Sequence, residues 1–274
     1  MERTKESFPS SKKKVVLLSF DVEECDIPCE YGTDLTLSEQ LSLTDEGLEN
    51  LLSVIEAEGA SPTFYTTATY ALHAPAMVQK LSMLGEVASH GYYHTGWEES
   101  HLTESVQVLE NITGKAVQGF RMPRMANIPP QVLQDCGISY NASSNPTWIP
   151  GRYCALTSPR RPHIANGITQ VPASVTPIIR FPLFWISAHV LPLSWYWFLV
   201  RKTLQHDGYI HLYFHPWEFN NALQGKEYGL PKYLRSRCGE PMVNILRYLI
   251  RQLHQQGCIF QTTFNFLQHY EFGK

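Results

Sequence analysis

Short apolar runs alternate with amphipathic helical stretches along the chain, with short connections between them. Together these predict an α/β fold in which helices cover a parallel sheet. A third observation is that several apolar runs end on polar residues of unusual chemistry. In a parallel sheet, whether barrel or open, such ends converge on one rim. Periodicity alone does not separate the two architectures.

The first strand is 15–20, "VVLLSF". A helix follows over 44–59, with Thr44 as the expected N-cap, Leu48, Leu51, Leu52 and Ile55 as its apolar face, and Gly59 as its stop. Residues 62–68 read as a strand and 75–85 as a helix with proline in its first turn. The alternation goes on with strand 86–90, helix 101–114, strand 117–122, helix 129–137 and strand 138–144. Residues 145–200 are less regular and rich in Pro, Trp and Arg. Strand 208–215, the long helix 241–257 and a closing strand over 258–264 complete the pattern. Neither an internal repeat nor a linker interrupts it, so 15–274 is expected to be one domain behind a disordered tail, 1–14.

A net charge of −3 gives no electrostatic reason to propose nucleic acid as partner. The six cysteines have neither the density of a disulfide scaffold nor paired CxxC spacing, which points to free thiols in a reducing compartment. "VVLLSF" reaches Asp21 after six residues, too few for the apolar core of a signal peptide. A cytoplasmic protein is the expectation, with 178–200 offering an apolar surface through which it could associate with a membrane. That segment is nearly as long as a membrane span, but Arg180, His189, Pro182 and Pro192 interrupt it. A buried or lid-like insert and a surface for a lipid-linked substrate are its two readings.

The strand ends carry the chemistry. Asp21 and Glu23, two residues apart at the first exit, share one side of an extended backbone, while Glu24 points away. "ASHGYYH" follows the third strand with His90 and His94, whose i, i+4 spacing places two imidazoles on one face of a helical turn. Two neutral nitrogens plus a carboxylate, with positions left open, are what a divalent metal needs. The competing structural reading makes His90 a helix cap and His94 a packed polar residue. Arg121 and His215 stand at two further strand ends.

"SFDVEE", "SHGYYH", "FRMPR" and "YFHPWEF", in that order, resemble the successive motifs of the polysaccharide deacetylases, the NodB-homology or carbohydrate esterase 4 family. The resemblance runs from about residue 15 to the C-terminus, since "CIFQTTFNFL" is similar to the family's closing strand. It implies a single-domain distorted (β/α)7-type barrel, with the irregular aromatic-rich stretch 145–200 as an insert. It also implies hydrolysis of N- or O-acetyl groups on a saccharide or glycan precursor through water activated by a divalent metal. By motif position Asp21 resembles the general base, and Glu23, His90 and His94 the metal ligands, with Glu24 as reserve ligand. Arg121 resembles the arginine that orients the base, and His215 the general acid. Zinc is the metal expected, with cobalt, nickel or iron as alternatives for such a ligand set.

The chain also departs from the family pattern. Glu23 stands where aspartate is usual, and no Asp-Trp motif that would buttress the acid is found. Arg124 replaces an aromatic residue and reads either as partner of a substrate anion or as a surface charge. Glu218 either orients His215 or caps a helix. Trp148 and Trp217 are candidates for stacking on a sugar, or for core packing. Two other functions stay open: hydrolysis of a non-sugar C–N amide bond, as in allantoinase-like relatives, and a catalytically silent glycan-binding module.

Overall fold

The computed structural model describes residues 13–150 and 153–271. The expected tail lies, but for Lys13 and Lys14, outside the described residues. Eleven strands are present among them: β1 Val15–Val22, β2 Thr63–Thr66, β3 Glu86–Ser89, β4 Gly119–Phe120, β5 Tyr140–Asn141, β6 Trp148–Ile149, β7 Tyr153–Cys154, β8 His163–Ala165, β9 Ile168–Gln170, β10 Tyr209–Phe214 and β11 Ile259–Phe260. Nine form one sheet in the order β10-β1-β2-β3-β4-β5-β9-β8, with β11 beside the start of β1, while β6 and β7 pair separately. All pairings in this sheet are parallel except β8 with β9.

The sheet curls into an incomplete barrel. After β9, Ser174 N–H donates to His211 O at 3.0 Å and Ser174 Oγ accepts from His211 N–H at 2.8 Å, so the chain reaches back to β10 without adding a regular strand. This is the α/β architecture expected, in its distorted barrel form.

Period-two alternation assigns every strand residue to a side. Val16, Leu18, Phe20 and Val22 join the core under the helices, as do Ile210, Leu212 and Phe214. The rings of Phe64, Phe214 and Phe219 surround Phe20 there, at 5.9, 6.4 and 6.3 Å between centroids. Leu17, Tyr65, Ala88, Tyr140 and Tyr209 form a separate core inside the barrel. Continuing the inward set by twos along each strand leads from Leu17 to Ser19, Asp21 and Glu23, and from Tyr209 to His211, Tyr213 and His215. The same step from Ala88 gives His90, and from Gly119 gives Arg121.

Several boundaries differ from the sequence reading. The first long helix is Leu37–Glu58, not 44–59. Its N-cap is Thr36, which forms a capping box with Glu39: Thr36 Oγ1 accepts from Glu39 N–H at 3.3 Å and Glu39 Oε2 accepts from Thr36 N–H at 2.8 Å. Thr44 is buried within the helix and donates its hydroxyl to Glu23 O at 2.6 Å. Gly59 does end the helix, at φ 67°. Gly47 faces the segment after β10, where a Cβ would lie 2.0 Å from Pro216 O; glycine is what lets the helix approach that backbone.

The closing strand is only β11, because Thr262 caps a helix, Thr263–Leu267. The less regular stretch contains Trp185–Val190 and the start of Leu193–Asp207, which buries Tyr196, Val200, Thr203 and Leu204. No helix among the described residues is long and apolar enough to cross a membrane.

His211 is fully buried at the closure of the barrel, with Nδ1 3.2 Å from Pro172 O and Nε2 3.0 Å from Arg121 Nη2. Burial and then the Arg121 charge push its ring down to about 3, from an ordinary 6.5. An unfolded chain takes up this proton near 6.5 and the folded one only near 3, so across that window stability falls as pH falls, by about 1.4 kcal/mol per unit from this ring. His211→Gln is therefore expected to flatten the decline of the urea midpoint between about pH 6.5 and 4.5. Parallel declines in the two proteins would assign the acid sensitivity elsewhere.

Candidate active site

Inward residues at the C-terminal ends of β1, β3 and β10 line a cavity of about 250 Å³ at the barrel mouth, with Arg121, at the end of β4, buried behind them. Glu23 is buried, and its Oε2 lies 2.9 Å from His90 Nε2 and 3.3 Å from His94 Nε2. The donor atoms of these three residues all fall within 4.8 Å of one another.

The two histidines are not on a helical turn, as their spacing suggested. Residues 90–94 form a loop that turns at Gly91, φ 80°. The helix Ala68–His73 pins it through the N–H groups of Ala68 and Thr69, which donate to Gly91 O and Tyr92 O, each at 3.0 Å. The loop stacks the two rings with centroids 6.0 Å apart. His90 Nδ1–H donates to Arg121 O at 2.8 Å, which turns Nε2 toward Glu23.

His94 Nδ1 lies 2.9 Å from Asp26 Oδ2. Asp26 also accepts from Thr95 Oγ1 at 2.8 Å and from Arg124 Nη2 at 2.9 Å. Burial pushes the Asp26 carboxyl up, but these partners outweigh it and hold it at about 2. His90 keeps its proton on Nδ1 toward Arg121 O, so its Nε2 meets Glu23 Oε2 lone pair to lone pair unless a positive species lies between them. With Nδ1 of His90 spent on Arg121 O and Nδ1 of His94 turned to Asp26, both Nε2 atoms and a Glu23 oxygen face one point, and the donor set fits a divalent cation.

Behind this cluster Arg121 is fully buried and nearly every donor is used. Nη1 donates to Asp21 Oδ1 at 2.5 Å, Nη2 to Ser19 Oγ and His211 Nε2, each at 3.0 Å, and Nε to Ala142 O at 3.3 Å. The guanidinium carbon sits 4.0 Å from the Tyr65 ring centre and 4.9 Å from that of Tyr213. Burial alone would raise the Asp21 pKa. The charges of Arg121, His90 and His215 outweigh it and hold the carboxyl below its usual value.

Across the cavity, His215 Nε2 is 3.9 Å from Asp21 Oδ2. Its Nδ1 is 3.0 Å from Glu218 Oε1, which also accepts the His215 backbone N–H at 2.6 Å. The imidazole stacks on Trp217 at 5.5 Å and meets Trp185 edge-on at 5.3 Å. Burial works against its charged form, but Glu218 and the more distant Glu23 and Asp21 raise its pKa on balance.

The six residues singled out by motif are thus all brought to one mouth. Glu24 is not: its Oε2 accepts from Thr67 Oγ1 at 2.8 Å. Arg124 is committed to Asp26 and, at 2.5 Å, to Glu30. It adopts φ 57°, with Met125 following at 54°. Glu218 contacts His215 both as orienting carboxylate and as cap of the turn Pro216–Phe219. Trp217 is 2% exposed and packs beneath His215, whereas Trp148 is 58% exposed. Trp185, His189, His211 and Asp26 were not anticipated as parts of the site. For Asp26 the signal lay in its place three residues behind Glu23; for Trp185 and His189 it was their i, i+4 spacing.

No curated protein matches the chain in sequence. Three solved structures share its fold at low identity. A protein from Mycobacterium smegmatis, classed with the polysaccharide deacetylases, is 18% identical, with 96% of this chain and 92% of that one covered and a TM-score of 0.64. An allantoinase is 14% identical, with 96% and 91% covered and a TM-score of 0.63. A pseudoenzyme of carbohydrate esterase family 4 from Bacillus anthracis is 12% identical, with 93% and 66% covered and a TM-score of 0.53. Residues 9–140, which hold the acidic strand end, the histidine loop and Arg121, match the polysaccharide deacetylase family in sequence. Just under half of the chain thus resembles the polysaccharide deacetylase family in sequence, and nearly its whole length shares the fold of these structures.

Proposed function

We propose that this protein is a metal-dependent hydrolase that removes N- or O-linked acetyl groups from a saccharide or glycan precursor. The observation that carries the reading is the placement of a base and an acid, Asp21 and His215, 3.9 Å apart beside the Glu23–His90–His94 cluster. A divalent cation, zinc in the first instance, held by Glu23, His90 and His94 would supply Lewis acidity to water and to the acetyl carbonyl.

The chain's own groups then divide the proton work. Asp21, kept ionised by Arg121, accepts the proton of the attacking water. His215 keeps Nδ1–H on Glu218, so the proton it delivers to the departing nitrogen or oxygen is the one on Nε2, toward the cavity. Phe184, Trp185 and Leu234 give the cavity an apolar lining that suits an acetyl methyl.

Hydrolysis of a non-sugar amide would use the same groups. Arg124 supports the acetyl reading over an anionic substrate, because it lines the cavity already paired with two carboxylates of its own chain. A lipid-linked precursor suits the rim. The turn 176–181, closed by Thr176 N–H to Phe181 O at 2.9 Å, leaves Ile178 and Ile179 92% and 74% exposed. It is joined to the hairpin of Trp148 through Thr147 Oγ1 and Arg180 O at 2.7 Å.

Elemental analysis of protein loaded with zinc, cobalt, nickel or iron is expected to show metal in the wild type and in Asp21→Asn but not in His90→Ala. Acetate release from acetylated sugars should fall about 10²- to 10⁴-fold in Asp21→Asn. Equal metal in His90→Ala and wild type would remove His90 from the ligand set. Release of a carboxylate-bearing product without acetate would favour amide ring opening, and no turnover with any loaded metal would favour a silent binder. Replacing Ile178 and Ile179 with serine should weaken partitioning onto vesicles and spare hydrolysis of a soluble substrate; unchanged partitioning refutes the lipid-facing rim.

A further inference from the structure

A second carboxylate–imidazole arrangement lies behind the acid. His189, on the helix Trp185–Val190, has a fully buried ring between two acceptors. Its Nδ1 is 2.9 Å from Leu234 O and its Nε2 3.0 Å from Glu218 Oε2. A carbonyl oxygen only accepts, so Nδ1 carries a proton. The contact with Glu218 then needs a second proton, since two lone pairs at that distance repel in a buried site. The other oxygen of Glu218 is the one engaged by His215. Trp217 lies nearly parallel to both rings, 25° from His189 and 22° from His215. Arg237 fixes the end of the helix by donating to Ala188 O and Leu191 O at 2.5 and 2.6 Å.

We propose that His189 is a positioning residue for His215: it holds one proton against Glu218 Oε2 and thereby keeps that carboxylate ionised and aimed at His215 Nδ1. The proposal rests on the deacetylase reading for its kinetic consequence, and on geometry alone for its proton. A cation in place of the proton is not what the donors offer. Among the described residues, the ligand atoms that converge to hold an ion are those of Glu23, His90 and His94, and the second nitrogen of His189 is spent on a carbonyl.

The other groups around the pair do not compete for the proton. Cys238 and Tyr196 face Glu218, and burial pushes both well above their ordinary values, so neither ionises near neutrality. Asp21 and Glu23 face His215 from the cavity side. Glu218 itself would be raised by burial, and its hydrogen bonds to His189 and His215 bring it below its usual value. Without the His189 donor, a wholly buried carboxylate keeps one oxygen bare and takes up a proton. His215 then loses its anionic partner, and its ring becomes easier to deprotonate.

The test compares the pH profile of kcat/KM for acetate release by metal-loaded wild type, His189→Leu and His189→Gln. His189→Leu is expected to move the alkaline limb down by about one pH unit or more, with kcat falling more than KM changes. His189→Gln, whose amide can donate to Oε2, should restore the limb. An unchanged limb in folded His189→Leu, or no restoration by glutamine, overturns the proposal. Should His189→Leu fail to fold, nitrogen-15 NMR of the wild type decides. A hydrogen-bonded proton at each ring nitrogen of His189 from about pH 6 to 8 supports it, and a bare Nε2 overturns it. A wild type that releases no acetate sinks the deacetylase reading alone, because the NMR result does not depend on turnover.

Discussion

The buried ion pair of Arg121 and Asp21 is the constraint that the rest of the site is built around. Taking a guanidinium out of water costs several kcal/mol unless its hydrogen bonds are replaced. Here the replacements come from most of the barrel wall: Ser19 and Asp21 on β1, His211 on β10 and the carbonyl of Ala142 after β5, with the rings of Tyr65 and Tyr213 on its faces. A slip of one residue in any of these strands would turn its contribution outward into the helix layer and strand a charge. The pair therefore specifies register as well as holding the carboxylate. Arg121 O meanwhile sets the tautomer of His90, which ties the orientation of the cation cluster to the same residue.

Two glutamates on this rim each face two imidazoles, and they do it differently. Glu23 offers one oxygen to both Nε2 atoms at the edge of an open cavity, a geometry that a cation can occupy. Glu218 gives a separate oxygen to each ring, one of them in a place without solvent access, where a proton is what fits. The same set, one glutamate and two histidines, thus suits a cation on one side and a shared proton on the other. Which of the two arises is decided by how many oxygens converge and by access from the cavity, not by composition.

Much of this was readable from alternation. Apolar residues at 16, 18 and 20 face the helices, so the residues between them, and Asp21 after them, had to face inward with the equivalent positions of the other strands. Local hydrogen bonding hid the rest. The pattern of Leu48, Leu51, Leu52 and Ile55 marks the middle of a helix but not its start, which depends on the reciprocal bonds of Thr36 and Glu39. The spacing of His90 and His94 suits a helical turn, yet Gly91 and the N–H groups of Ala68 and Thr69 bend the segment into a loop. His189 escaped because Pro182 and Pro192 bracket an aromatic stretch whose periodicity is too short to show a face. Its partners, 29 and 45 residues away, are visible only in three dimensions.

Glycine in the middle of a long helix ordinarily invites replacement, since alanine there commonly stabilises a protein by about 0.4–1 kcal/mol through the unfolded chain. Position 47 is the exception in this fold. A methyl group on it would collide with the peptide next to His215, so any thermodynamic benefit would be gained by displacing the segment that aims the imidazole. Thermostabilising redesign and preservation of the His215 orientation make opposite demands on this single residue, and a consensus-driven search for sturdier variants would trade one for the other there.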